Sequence, residues 1–192
     1  TVFSVAVSAF GKYIAAGGSK VYLIDKDSGT LLWNYSTVYG GVISVAISAD
    51  GEYITASGGS NNKIYLFDKD SNTPLWSYQT GSIVWSVAIS ADGEYIAAGS
   101  FDSYVYLFDN ASSTPLWSYE TGSIVYSVSI SADGEYITAG SYNNDNKVYF
   151  FDKDSSTPLW SYTTGDIVYS VAISADGEYI AVGSGDNKVY LF

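Results

Sequence analysis

One five-residue phrase recurs five times along this chain. It reads Ser4–Val5–Ala6–Val7–Ser8, Ser44–Val45–Ala46–Ile47–Ser48, Ser86–Val87–Ala88–Ile89–Ser90, Ser127–Val128–Ser129–Ile130–Ser131 and Ser170–Val171–Ala172–Ile173–Ser174. Successive copies start 40, 42, 41 and 43 residues apart. A repeat of this length constrains the fold more than any other feature, because each unit must bury its apolar surface against its neighbours. What is common to every copy serves the scaffold first. What differs between copies, and what one copy lacks, bears on function.

The third copy shows how a unit is built. Ile83–Ser90 alternates large apolar with small residues, the period of a β-strand. Ala91–Asp92–Gly93 follows as a tight turn, since Asp-Gly supplies positive φ at little cost. A second strand is predicted over Glu94–Gly99 and a third over Tyr104–Phe108. Asp109–Thr114 is a polar loop, and Pro115 opens a short fourth strand, Leu116–Tyr119, where a sheet tolerates proline. No segment has helical periodicity or capping signals.

Four short antiparallel strands every ~41 residues read as one blade of a β-propeller. Side-chain volume grows from the Ser/Ala/Val first strand, through the small Ala97–Ala98–Gly99 end of the second, to Tyr106, Phe108, Trp117 and Tyr119 on the outer two. A sheet thin at one edge and thick at the other is a wedge, and wedges pack around an axis. A β-solenoid has shorter rungs and needs no such gradient. The predicted fold is therefore all-β: one propeller domain over 1–192 with blades near 1–38, 39–80, 81–121, 122–164 and 165–192, the last lacking its outer strand. Trp33, Trp76, Trp117 and Trp160 recur at one position, which predicts packing between blades rather than sugar stacking.

Two families share these phrases. Ser86–Val87–Ala88–Ile89–Ser90–Ala91–Asp92–Gly93, Ile96–Ala97–Ala98–Gly99–Ser100 and Val105–Tyr106–Leu107–Phe108–Asp109 resemble the first part of a WD repeat. The Gly-His dipeptide of that family is absent, and Phe67, Phe108, Phe151 or Ile24 stands where its Trp would be. The family's usual polar tetrad therefore has no counterpart. Asp25–Lys26–Asp27–Ser28–Gly29–Thr30–Leu31–Leu32–Trp33 is similar to the repeats of quinoprotein-like propellers, in which the phrase docks blades through Trp. A quinone site would need cationic and metal-binding groups near the axis, and none are evident. The two resemblances imply a fold and not a redox activity.

Composition narrows the function. The 192 residues contain no Cys, His, Met or Arg, and eight Lys against twenty carboxylates leave a net charge of −12. Nucleic acid and anionic membrane surfaces are poor partners for such a chain. No apolar run approaches the ~20 residues of a membrane span. Thr1 in place of Met fits a processed product, a fragment or part of a longer chain. The 19 Tyr among Ser, Thr, Gly and Asn suggest an extracellular or cell-surface protein.

Catalytic residues are not evident. A nucleophile–His pair cannot form without His. Asp25/Asp27, Asp68/Asp70 and Asp152/Asp154 could offer oxygen ligands, but Ca²⁺ takes six to eight and no late Glu follows. These pairs read instead as Asx-turns. No metal and no cofactor are expected. Asn34–Tyr35–Ser36 and Asn110–Ala111–Ser112 are glycosylation sequons, at the number chance would supply.

The copies differ on one rim. The turn between first and second strands is nearly constant, whereas the loops between second and third strands vary in length and content. The residue before each Ser-Val is Phe3, Ile43, Trp85, Tyr126 or Tyr169. Variable loops on a rigid scaffold are where binding concentrates. Phe3, Trp85, Tyr126 and Tyr169, flanked by Asp102, Tyr104 and Tyr142, form the candidate binding site. The other reading of the same rings is packing between blades.

Four copies have the outer strand, Leu32–Tyr35, Leu75–Tyr78, Leu116–Tyr119 and Leu159–Tyr162, and the fifth stops at Phe192. The last blade should then present Val189, Tyr190, Leu191 and Phe192 as an open edge, and such edges invite pairing. Three readings stand: a chain cut from a longer protein, five blades that close with one strand short, or a blade completed by another subunit's strand. The expected function is a non-enzymatic interaction or assembly module whose partner is a protein or another copy of the chain. The alternative is a carbohydrate-binding propeller.

Overall fold

The computed structural model describes residues 1–37 and 40–192. The predicted boundary between the first two blades, at 38/39, lies outside the described residues. Nineteen strands form five antiparallel sheets, four of four strands and the last of three, and the described residues contain no helix. Blade 1 comprises β1 (Val2–Val7), β2 (Tyr13–Gly18), β3 (Val21–Asp25) and β4 (Thr30–Tyr35); blade 2 comprises β5 (Val42–Ile47), β6 (Tyr53–Gly58), β7 (Lys63–Asp68) and β8 (Trp76–Gln79). Blade 3 follows with β9 (Val84–Ile89), β10 (Tyr95–Ser100), β11 (Tyr104–Asp109) and β12 (Trp117–Glu120), and blade 4 with β13 (Val125–Ile130), β14 (Tyr136–Ser141), β15 (Lys147–Asp152) and β16 (Trp160–Thr163). Blade 5 has only β17 (Val168–Ile173), β18 (Ile180–Ser184) and β19 (Val189–Leu191). Strands pair in chain order within every sheet. The five-bladed propeller with an incomplete last blade is thus the observed architecture.

The turns obey the residues that predicted them. Gly93 has φ +75°, and Asp92 accepts from the Ser90 hydroxyl and the Glu94 N–H. Pro115 does not open the fourth strand, which begins two residues later at Trp117. That strand also has one wet face: Trp117 and Tyr119 are half-buried while Ser118 and Glu120 are exposed. In blade 3 it is the third strand that is sandwiched on both faces, with Val105, Tyr106, Leu107 and Phe108 all buried.

Blades dock through one joint repeated four times. β1 packs on β5, β5 on β9, β9 on β13 and β13 on β17. Between blades 3 and 4, Ala97, Val105 and Leu107 meet Val125, Val128, Ile137 and Phe151. Gly99 has no side chain because Val125 and Val128 occupy that space, and Gly134 lies under the ring of Tyr95. Burying a ring such as Phe151 contributes on the order of 2–3 kcal/mol.

Polar groups set the register of the joint. The serine that begins each phrase accepts a hydrogen bond from the valine N–H of the next blade: Ser4 from Val45, Ser44 from Val87, Ser86 from Val128 and Ser127 from Val171. At the opposite rim, Ala9, Ala49, Ala91 and Ala132 donate N–H to Ala49, Ala91, Ala132 and Ala175 in turn. At the periphery, the indoles of Trp33, Trp76 and Trp117 donate to the carbonyls of Lys69, Asn110 and Lys153 one blade on. The tryptophans are therefore half-buried struts between blades, each set against Phe67, Phe108, Phe151 or Phe192 at 5.1–5.4 Å.

Five blades do not close on themselves. Among the described residues no comparable packing joins β17 to β1. Val5 is 65 % exposed, where its counterpart Val128 is 6 %, and Leu191 is 73 % exposed, where Leu107 is fully buried. Of the three sequence readings, a self-closed five-blade ring is the one this geometry contradicts, because the faces of blades 1 and 5 that would have to meet are both exposed.

Candidate binding face

A bulge places the aromatic residues. In every blade the register between first and second strands slips at the same point: between Val2 and Ser4, Val42 and Val45, Val84 and Ser86, Val125 and Ser127, Val168 and Ser170. The residue skipped is the one before each Ser-Val. Phe3, Trp85, Tyr126 and Tyr169 are thus bulge residues, with Ile43 at the same point in blade 2. A bulge breaks the in-out alternation and re-aims a side chain. Here it turns these rings out of the packed joint and onto the loop face.

Phe3, Ile43, Trp85 and Tyr126 line one cavity of about 560 Å³, together with Ser4, Gly40, Ser44 and Ser86. Its aromatic wall continues across blades 3 to 5. Trp85 stacks on Phe101 at 5.0 Å and meets Tyr126 at 5.0 Å. Tyr126 stacks on Tyr142 at 5.3 Å and meets Tyr169 edge-on at 6.0 Å. Each such pair is worth about 0.5–1.5 kcal/mol beyond area burial, so the rings brace one another. Trp85, Tyr126 and Tyr142 are half-buried, and Phe3 and Tyr169 are exposed. The rings both pack and present a surface.

Phe101 belongs to this wall and does not stand out in the sequence. It follows the serine that ends the second strand, the same place Tyr142 takes in blade 4. That shared position was the available signal.

Asp102 and Tyr104 are placed differently from the predicted site. Asp102 accepts from the Gly81 N–H and the Tyr106 hydroxyl, each at 2.8 Å, and from the Tyr104 N–H at 3.1 Å. It ties the loop entering blade 3 to the third strand, and its acceptors are used within the fold. Burial, together with this carboxylate, pushes the Tyr106 phenol well above its ordinary pKa. Asp145 and Asp186 accept from the strand tyrosines of blades 4 and 5 in the same way, whereas the Asn61 amide of blade 2 donates to the Tyr65 hydroxyl. Tyr104 packs on Tyr106 at 5.8 Å, away from the aromatic wall, and its phenol is pushed up chiefly by the charge of Glu120.

The acidic pairs form turns. Asp25 accepts from the N–H and hydroxyl of Ser28, while Asp68 and Asp152 accept from the N–H of Asp70 and Asp154. Both sequon asparagines are engaged: Asn34 accepts from Lys20, and Asn110 donates to the Gly93 carbonyl. At the open edge β19 pairs only with β18. Phe192 exchanges both backbone bonds with Ile180, and the alternation of an antiparallel ladder leaves the polar groups of Val189 and Leu191 facing outward. The carbonyls of Leu66, Leu107 and Phe150, at the place of Leu191, accept the N–H of Leu75, Leu116 and Leu159, each the residue just before a fourth strand.

Comparison with known proteins places this architecture. Residues 4–84 match the family model described as outer membrane protein assembly factor BamB, a PQQ-type repeat. Residues 72–109, 113–152 and 156–192 each match the model for the WD domain, G-beta repeat. Each of these three segments takes the fourth strand of one blade and the first three of the next, so the family's unit straddles a blade joint. No curated protein matches the chain. The three G-beta matches together span more than half of the chain, and it belongs to the WD-repeat family of β-propeller proteins.

Proposed function

We propose that this chain is a non-catalytic scaffold that holds a protein partner on its loop face, against the aromatic wall of Trp85, Phe101, Tyr126, Tyr142 and Tyr169. The observation that carries this is the bulge conserved in geometry but not in residue: the same backbone device presents a different side chain in each blade. A rigid base bearing individual aromatic rings has the features of a protein-binding hot spot. The cell-surface or extracellular setting suggested by the Tyr- and Ser-rich composition goes with this reading.

A glycan is the second candidate. The hydroxyls of Ser4, Ser44 and Ser86 accept backbone N–H groups and retain their own protons to donate beside Phe3, Trp85 and Tyr126. Rings next to hydroxyl donors suit a sugar face.

Selection of displayed peptides on the wild-type chain, with a glycan array in parallel, tests both. The expected result is a peptide family whose Kd rises about 30-fold or more on Trp85→Ala, the equivalent of about 2 kcal/mol at a hot spot. Glu94→Gln, on the constant rim, should leave it unchanged. Peptides that bind Trp85→Ala as well as wild type would refute the site, and glycan binding lost on Trp85→Ala would favour the second reading.

A further inference from the structure

We propose that the two free faces of the propeller bind each other between copies of this chain, head to tail, through the same joint that docks its blades internally. This surface is separate from the aromatic wall.

Blade 5 carries one half of the joint with nothing on it. Tyr179 is 58 % exposed, where its counterpart Tyr95 covers Gly134. Gly183 has open space above it, where Gly99 and Gly140 are covered by Val125 and Val168. Val189 and Leu191 stand where Val105 and Leu107 are fully buried.

Blade 1 carries the other half. Val2, Val5 and Val7 are exposed, while Val125 and Val128 at the first two of those positions in blade 4 are buried. Gly11 has the positive φ of the other turn glycines but no tyrosine ring over it. Placed by the internal rule, Val2 of one copy covers Gly183 of the next, and Tyr179 covers Gly11.

The polar pairs complete the match. The serine–valine series stops at Ser127–Val171 among the described residues, with the Ser170 hydroxyl at one end and the Val5 N–H at the other. The alanine series ends likewise, with the Ala175 N–H at one end and the Ala9 carbonyl at the other. One more joint would satisfy all four groups.

Two departures of the first copy fit this occupant. Internal joints bring like-charged turn residues together, as Asp176 acts on Asp133. Blade 1 has Phe10 where the other turns have Asp and Lys12 where they have Glu, so an incoming Asp176 and Glu178 meet an uncharged ring and a cation. Ile24 replaces the phenylalanine that receives a tryptophan elsewhere. The contact is heterologous, one face on a different face, so it propagates or closes according to its rotation.

Sedimentation velocity of the 192-residue chain across a concentration series tests this. Wild type should form species larger than a monomer. Val5→Lys and Leu191→Lys, both at exposed positions and so compatible with folding (checked by circular dichroism), should each be monomeric alone. Mixed, they should form a one-to-one dimer and nothing larger, because one intact face remains on each. A monomeric wild type would overturn the proposal. So would self-association of Leu191→Lys alone, which marks a symmetric blade-1 contact, or a mixture that stays monomeric. Trp85→Ala should leave all of these species unchanged, which separates this proposal from the peptide-binding one.

Discussion

The joint between blades 3 and 4 and the free faces of blades 1 and 5 are made of nearly the same residues. Val128 is buried and Val5 is not; Leu107 is buried and Leu191 is not. The difference lies only in whether a neighbour is present. In a repeat scaffold the core is a property of adjacent pairs, so a position has no burial of its own. An apolar stripe that reads as core in every copy is core in the middle of the array and exposed surface at its ends.

The largest break in this comparison should come from the aromatic pair at the periphery. Phe108→Ala removes a fully buried ring set against Trp76 and should cost about 3–5 kcal/mol in denaturant unfolding. Ile24→Ala, at the same position on the half-buried free face, should cost well under half of that. Equal losses would mean that the first face is covered in solution, as the head-to-tail joint requires at high concentration.

A smaller effect isolates the polar register. Ser86→Ala leaves the Val128 N–H without an acceptor inside a joint and should cost about 1–3 kcal/mol. Ser170→Ala should leave the unfolding midpoint of the monomer unchanged and weaken only association. A measurable loss of monomer stability on Ser170→Ala would show that its hydroxyl already has a partner within one copy.

Acid should give the smallest effect. The Tyr190 hydroxyl, more than the neighbouring Ser184, holds the Asp186 carboxyl down at about 2, and the Ser131 and Ser174 hydroxyls lower Asp133 and Asp176. These folded-state values lie below the roughly 3.9 of an unfolded aspartate. In that window the unfolded chain binds more protons, so stability rises with pH. The contribution is present above about pH 4 and is lost as pH falls toward 2. Urea midpoints should decline over that interval, and Asp186→Asn should flatten the decline. An unchanged slope in that variant would remove Asp186 from the account.

Much of this was legible in the residues. The repeat, the Asp-Gly turns and the aromatic struts all follow from side-chain periodicity and turn chemistry, which are local. The bulge that re-aims Trp85 and Tyr126 was not legible, because a skipped residue in a ladder depends on the partner strand's register. Asp102 looked available for binding because a loop carboxylate gives no sign of which N–H groups will approach it. Phe101 passed unnoticed because its importance lies in stacking on Trp85, sixteen residues away in sequence.

By itself the sequence determined the blade: four strands, their order, the small residues at the axis and the large ones outside, since these depend on neighbours within about forty residues. Tertiary structure alone decided that five such blades leave the first and last apart. Closure depends on the angle at each joint, and that angle is the small cumulative result of every packed pair, which no single residue encodes.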